Sequence, residues 1–175
     1  KLGDFQAADE AIHEGLMLAR EDNDPLMIAE ALLVAAQMLF INGDYDEARR
    51  QLQESMKQWQ GREHSLSVIA CQQLLAEIAL RCDDPPTALQ HVNIILDCLY
   101  LHPVTETVNT THLYLVCLQT LAASHDVRAT SLAAEACAFV DGRQREISDP
   151  VLCSLYLSRL AAPLFQFLDT ISMNG

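Results

Sequence analysis

The sequence predicts an all-α fold, a right-handed solenoid of antiparallel helix pairs running through residues 1–175 as a single domain. Three observations carry that reading. Ala and Leu dominate while Gly and Pro number six each, a mix that loses little entropy in helices. Apolar residues recur at i, i+3, i+4 and i+7 over several segments, the spacing of one helix face. A short polar corner also recurs every forty residues, and a fixed period of this order is the signature of a repeat array.

The elements follow in order. Gly3-Asp4-Phe5-Gln6-Ala7-Ala8 reads as a corner that opens a helix over residues 5–21. That helix would be the second of a repeat whose first helix precedes residue 1, so the chain is expected to be a fragment of a larger protein. Residues 26–42 and 46–59 make the next pair, around Gly43-Asp44-Tyr45-Asp46-Glu47-Ala48. Residues 65–81 and 86–101 make another around Asp83-Asp84-Pro85-Pro86-Thr87-Ala88. Residues 107–124 and 127–141 make a third around Ser124-His125-Asp126-Val127-Arg128-Ala129, a copy one residue longer. A capping helix over 149–169 starts at Asp149-Pro150, and Pro163, which has no N–H, should kink or split it. The repeats then span about 1–24, 25–64, 65–105 and 106–145.

Each corner has the same physical logic. A small or polar residue ends one helix, and an Asp accepts from the free N–H groups of the next. Phe5 or Tyr45 can wedge between the two helices, and Ala8, Ala48 and Ala88 let them approach closely. Before the corners run Leu32, Ala35, Ala36 and Leu39, then Ile69, Leu75, Ala76 and Ala79, then Leu113, Val116, Cys117 and Thr120. After them run Ala48, Leu52 and Met56, then Ala88, Val92, Ile95 and Leu99. Stripes of this kind are core.

Composition excludes several functions. The formal net charge is −13 and no basic cluster exceeds Arg49-Arg50, which argues against nucleic acid and against an anionic membrane surface. No stretch approaches the roughly 20 apolar residues of a membrane span, and residues 1–10 do not resemble a signal peptide. Six scattered cysteines form no C-x-x-C pair, so a cytoplasmic, reduced protein is expected, with thiols such as Cys71, Cys117 and Cys153 serving as small hydrophobes. The sequon Asn109-Thr110-Thr111 carries no weight without a secretion signal.

No cofactor, metal or catalytic group is expected. Glu10 and His13 form one E-x-x-H, half of what a di-iron bundle needs. His64, His91, His102, His112 and His125 lack ligand spacing. Catalysis would need a nucleophile, a base and an orienter; Cys117 near His112 is the one pairing to consider, without a nucleophile elbow or Gly-rich loop to support it. No Walker motif occurs, so the chain holds no P-loop ATPase.

Leu32, Ala35, Ala36, Leu39, Gly43, Tyr45 and Ala48 stand where packing residues of the tetratricopeptide family stand, and the chain resembles that family over about residues 1–141. The next copy keeps Leu75, Ala76, Ala79 and Ala88 but replaces Gly and Tyr with Asp83 and Pro85. The forty-residue period exceeds the family's usual 34, with extra turns expected over 19–27 and 60–67. This longer form resembles arrays in bacterial signalling proteins, namely maltose-activator-like regulators and cyclase-linked ATPases. Residues 113–129, followed by a long helix and Ile147-Ser148-Asp149, look like the end of such an array.

The resemblance implies an interaction module that relays a signal within a larger regulatory protein. The partner would be a protein or peptide, or another domain of the same polypeptide. A free-standing adaptor is the alternative, and a helical enzyme or metal protein the third reading. Projecting the family's positions onto a concave wall gives Glu30, Leu33, Gln37, Phe40 and Ile41, then Gln73, Glu77, Leu80 and Arg81, then Tyr114, Leu118 and Leu121. The apolar members suit an amphipathic helix or extended peptide; an inducer on the same wall is a variant. Co-chaperone members clamp a carboxylate with Lys, Arg and Asn, whereas the matching places here hold Leu33, Gln37, Gln73 and Glu77, which speaks against that ligand.

Overall fold

A computed structural model describes residues 2–59, 66–101 and 109–172, which are helical apart from short connections and contain no strand. The chain divides into two compact units, Lys1–Cys82 and Asp83–Gly175.

The first unit holds α1 (Leu2–Glu21), α2 (Pro25–Asn42), α3 (Tyr45–Gln58) and α4 (Leu66–Arg81). Helix α2 packs against α1, α3 and α4, and α3 packs against α4. Leu33, Ala36, Ala48, Leu52, Cys71, Leu74, Leu75 and Ile78 form the main core cluster. Burial of a side chain such as Leu52 contributes about 1.5–3 kcal/mol. Ala36 and Ala48, fully buried, keep α2 and α3 close, as the periodic alanine implied. One buried hydroxyl joins three helices: Ser55 on α3 donates to the Ala29 carbonyl of α2 at 2.8 Å and lies 3.6 Å from Cys71 Sγ of α4. A polar group in such a core is tolerated because it is hydrogen-bonded.

The corners share one geometry. Asn23, Gly43, Asp83 and His125 all adopt positive φ (53°, 84°, 55° and 53°), and each is followed by an Asp. At Gly43 the chain closes a Schellman motif, with Gly43 N–H donating to Phe40 O at 3.0 Å and Asp44 N–H to Leu39 O at 2.9 Å. Asn23-Asp24 and His125-Asp126 repeat the same pair of bonds. The following Asp then caps the next helix: Asp24 accepts from Leu26 N–H at 2.9 Å, Asp84 from Thr87 N–H at 3.1 Å and Asp126 from Arg128 N–H at 2.9 Å.

This geometry corrects two expectations. Residues 19–27 hold no extra turns, because α1 persists to Glu21 and α2 starts at Pro25 across a corner of the standard kind. Gly3-Asp4 is not a corner, because α1 already begins at Leu2. Of the proposed turns over 60–67, residues 60–65 lie outside the described residues, as do 107 and 108 of the helix expected from 107.

The second unit holds α5 (Pro85–Leu101), α6 (Thr110–Ala123), α7 (Arg128–Glu146), α8 (Pro150–Leu155), a π-helical segment (Tyr156–Ala161) and α9 (Ala162–Ser172). Helices α5, α7 and α9 all pack on α6. That explains why Leu113, Val116, Cys117, Leu118, Thr120 and Leu121 of α6 are sealed. Thr120 fits there by donating to the Val116 carbonyl at 2.9 Å. Helix α7 runs five residues beyond the expected 141, since Gly142 costs it only about 1 kcal/mol. The fourth alanine was misplaced: Ala129 is half-buried, and α7 buries Leu132, Ala136 and Val140 instead. Pro163 does not split the last helix, which stays helical from Pro150 to Ser172. It cannot donate to the Arg159 carbonyl and its ring crowds that group, and the turn before it widens into the π-helical form.

Two helices, Pro25–Asn42 and the stretch Pro150–Thr170, are long and apolar enough to cross a membrane, which the sequence reading did not expect. Here α2 is engaged by three neighbouring helices, and the later stretch packs on α6 and contains the π-helical segment.

Candidate functional site

In the first unit exposed large apolar side chains stand on α1 (Met17 and Leu18), on α4 (Leu66) and on α2. Met27, Val34 and Ile41 are 57 %, 43 % and 63 % exposed, and they lie seven residues apart, which places them on one stripe. Half-buried Ala31 and Met38 fill the gaps, and exposed Gln37 borders them. The stripe is left over because α2 is apolar all round and its three neighbours cover only part of it.

Against this stripe the expected wall is partly rotated. Gln37 and Ile41 are exposed as expected. Leu33 is buried in the core cluster and offers no surface to a partner, which corrects its assignment. Phe40 is half-buried against Tyr45, ring centroids 5.6 Å apart, and also packs on the core. Glu30 accepts a hydrogen bond from Ser67 and so ties α2 to α4. On α4, Gln73, Glu77 and Leu80 are half-buried, Gln73 donates to Glu77 at 3.1 Å, and Arg81 is exposed.

In the second unit Leu118 and Leu121 are fully buried, since α6 is covered on several sides; they are core and not a binding wall. Tyr114 is half-buried and packs against Phe139 of α7, centroids 5.6 Å apart. Burial pushes its phenol pKa up, and the Glu135 carboxylate and Cys117 thiol add to that. These two rings belong to a cleft of about 550 Å³ among α5, α6 and α7. Its lining includes Asp97 and Tyr100 from α5, Tyr114 from α6, and Arg128, Glu135 and Phe139 from α7. Arg128 is held at the cleft edge. Its Nε and Nη2 donate to the two Asp126 oxygens at 2.9 and 2.6 Å, and Nη2 also donates to Asn93 at 2.8 Å. The paired guanidinium holds the Asp126 carboxyl down to about 2.

A family model for the tetratricopeptide repeat matches residues 27–97. Residues 27–97 are thus similar to tetratricopeptide repeats. No curated protein and no solved structure matches the chain. Repeats of this family are protein-interaction scaffolds, and the matched stretch contains the α2 stripe and most of α5.

Cys117 is sealed, and burial pushes its thiol up to about 12, so it is protonated and unreactive in the folded chain. Burial likewise raises Cys71 to about 11, with Ser55 opposing. Glu10 and His13 are exposed on α1 beside Glu14 and Met17. Among the described residues no group of three His, Cys, Asp or Glu could hold a metal. Asn109 of the sequon caps α6, accepting from His112 N–H at 3.2 Å. His64 and His102 lie outside the described residues.

Met27 and Val34, and every cleft residue except Tyr114, lie outside the wall expected from sequence. Seven-residue spacing of Met27, Val34 and Ile41 was the available signal for the stripe. The cleft had none, because its walls come mainly from second helices, which the projection ignored.

Proposed function

We propose that the chain is a non-catalytic, cytoplasmic protein-binding module of a larger bacterial regulatory protein, relaying occupancy of its first-helix face to another domain. The observation that carries the binding half is the α2 stripe, where three large apolar side chains a heptad apart stand in solvent. Such spacing matches the i, i+7 anchors of an amphipathic helix laid along it. Gln37 and Arg81 supply polar rim groups on α2 and α4. The regulatory half rests on resemblance to signalling arrays with long repeats, and the cytoplasmic placement on six free cysteines among the described residues.

The test uses a displayed library of random 16-residue peptides selected on the chain and counter-screened on Val34→Glu/Ile41→Glu. Both substitutions are at exposed positions and leave the core intact. Peptides enriched on the wild type should be apolar at i and i+7 and should lose binding to the double variant. Selection of the same peptides by both proteins removes the proposal.

A further inference from the structure

We propose that the cleft among α5, α6 and α7 binds the cationic side chain, Arg or Lys, of a basic segment in a protein partner. Three independent features converge there. The first is size: about 550 Å³ lies within the range of roughly 300–1,000 Å³ typical of ligand pockets, ample for one long side chain and its flanking backbone. The second is the lining, with the tilted pair Tyr114 and Phe139 inside and Tyr100, 91 % exposed, at the lip. Aromatic faces attract cations through their quadrupole, and Arg stacks on them as well.

The third feature is charge. Asp97 and Glu135 line the cleft, and among the described residues neither is joined to a cation by an ion pair. The cation in the cleft lining, Arg128, is hydrogen-bonded to Asp126 and Asn93 and also feels the Asp97 carboxylate through space. An anionic ligand would therefore have to displace Asp126 and face two further carboxylates, whereas a guanidinium or ammonium meets both carboxylates without breaking a hydrogen bond, only Asp97 already facing Arg128 through space. The chain's net charge of −13 adds a long-range pull on a basic segment. Asp97 and Glu135 come from different helices, α5 and α7, so a bound cation would bridge them across the Tyr114–Phe139 pair.

This proposal rests on the reading of the chain as a protein-binding module, but it uses a different surface from the α2 stripe. Its test can therefore fail separately. The probe is an acetylated, amidated decapeptide of alternating Arg and Gly, compared with the same peptide carrying neutral citrulline for Arg. Binding is followed at low ionic strength by calorimetry and by NMR of the Tyr114 and Phe139 ring protons.

The Arg peptide should shift both rings and the citrulline peptide should not. Asp97→Asn/Glu135→Gln should weaken the Arg peptide about tenfold, as two partly exposed charge contacts imply. Asp46→Asn/Glu54→Gln removes the same charge from exposed sites in the other unit and should leave affinity unchanged. Val34→Glu/Ile41→Glu should leave the ring shifts intact. Equal binding of the citrulline peptide would overturn the proposal, because the site would then not read charge. Equal weakening by the Asp46/Glu54 control would overturn it too, because the attraction would then belong to the whole acidic chain.

Discussion

The α2–α3 and α6–α7 hairpins solve the same corner with different chemistry. At Gly43 the left-handed backbone is made by a residue with no Cβ, so the turn carries no steric cost, and the Asp44 cap is long at 3.5 Å. At His125 a side chain is forced into the same conformation, and the turn is held by a close cap and a guanidinium clamped on Asp126. The packing differs as well. Ala48 is buried four residues after Asp44, whereas Leu132 takes up the α7 packing face six residues after Asp126. A repeat can therefore lose its signature residues and keep its geometry, provided that capping and a larger side chain make good the loss.

The sharpest way to break this comparison is in the core. Leu52→Ala and Leu132→Ala should each cost about 2–5 kcal/mol in denaturant unfolding, while Ala129→Ser should cost well under 1 kcal/mol. A large loss at Ala129 and a small one at Leu132 would restore the register read from sequence. Next come the corners. Gly43→Ala should lose about 1–2 kcal/mol from backbone strain alone, because nothing lies within 4 Å of the added Cβ. His125→Gly should move the other way, raising the thermal midpoint by a few degrees as the strain is relieved. If both corners respond alike, they are not equivalent in backbone demand.

A smaller effect is set by acid. Asp126 has its pKa depressed in the folded state, so its contribution is present above the unfolded carboxylate value near 4 and is lost as pH falls toward about 2. Arg128→Gln should flatten that part of the acid-unfolding curve. At the other end of the scale, Cys71 and Cys117 have raised pKa values. Their stabilising contribution is complete below the unfolded thiol value and declines as pH rises from about 9 toward 11–12. At neutral pH exposed Cys82 should react with a disulfide reagent at once, and Cys71 and Cys117 only on unfolding.

Most of the fold was legible because it is written in polar punctuation. Gly43, Asp44, Asp84, Asp126, Pro85 and Pro150 mark helix ends whether or not the rest is known, whereas Pro163 leaves the last helix continuous and only the turn before it π-helical. The corner at Asn23-Asp24 was read as a longer connection, because Asn in the left-handed region is a weaker sign than Gly. Which face of each helix looks outward was legible only where polar residues set the phase. On α4 the polar Gln73 and Glu77 are half-buried, but α2 and α6 carry few polar residues to set the phase, and Leu33, Leu118 and Leu121, expected on the wall, are core. The cleft was illegible because Asp97, Tyr114 and Glu135 meet only through tertiary packing.

The widened turn over Tyr156–Ala161 has a consequence of its own. A π-helical turn accommodates about one residue more than an α-helical turn, so everything after it is out of phase by roughly 100° with everything before it. That offset lets Leu164 dock while Val151, Leu152 and Leu155 look elsewhere. Deleting one residue there would act like a wrist turned a quarter circle, re-aiming one end of the terminal rod without altering what it is made of.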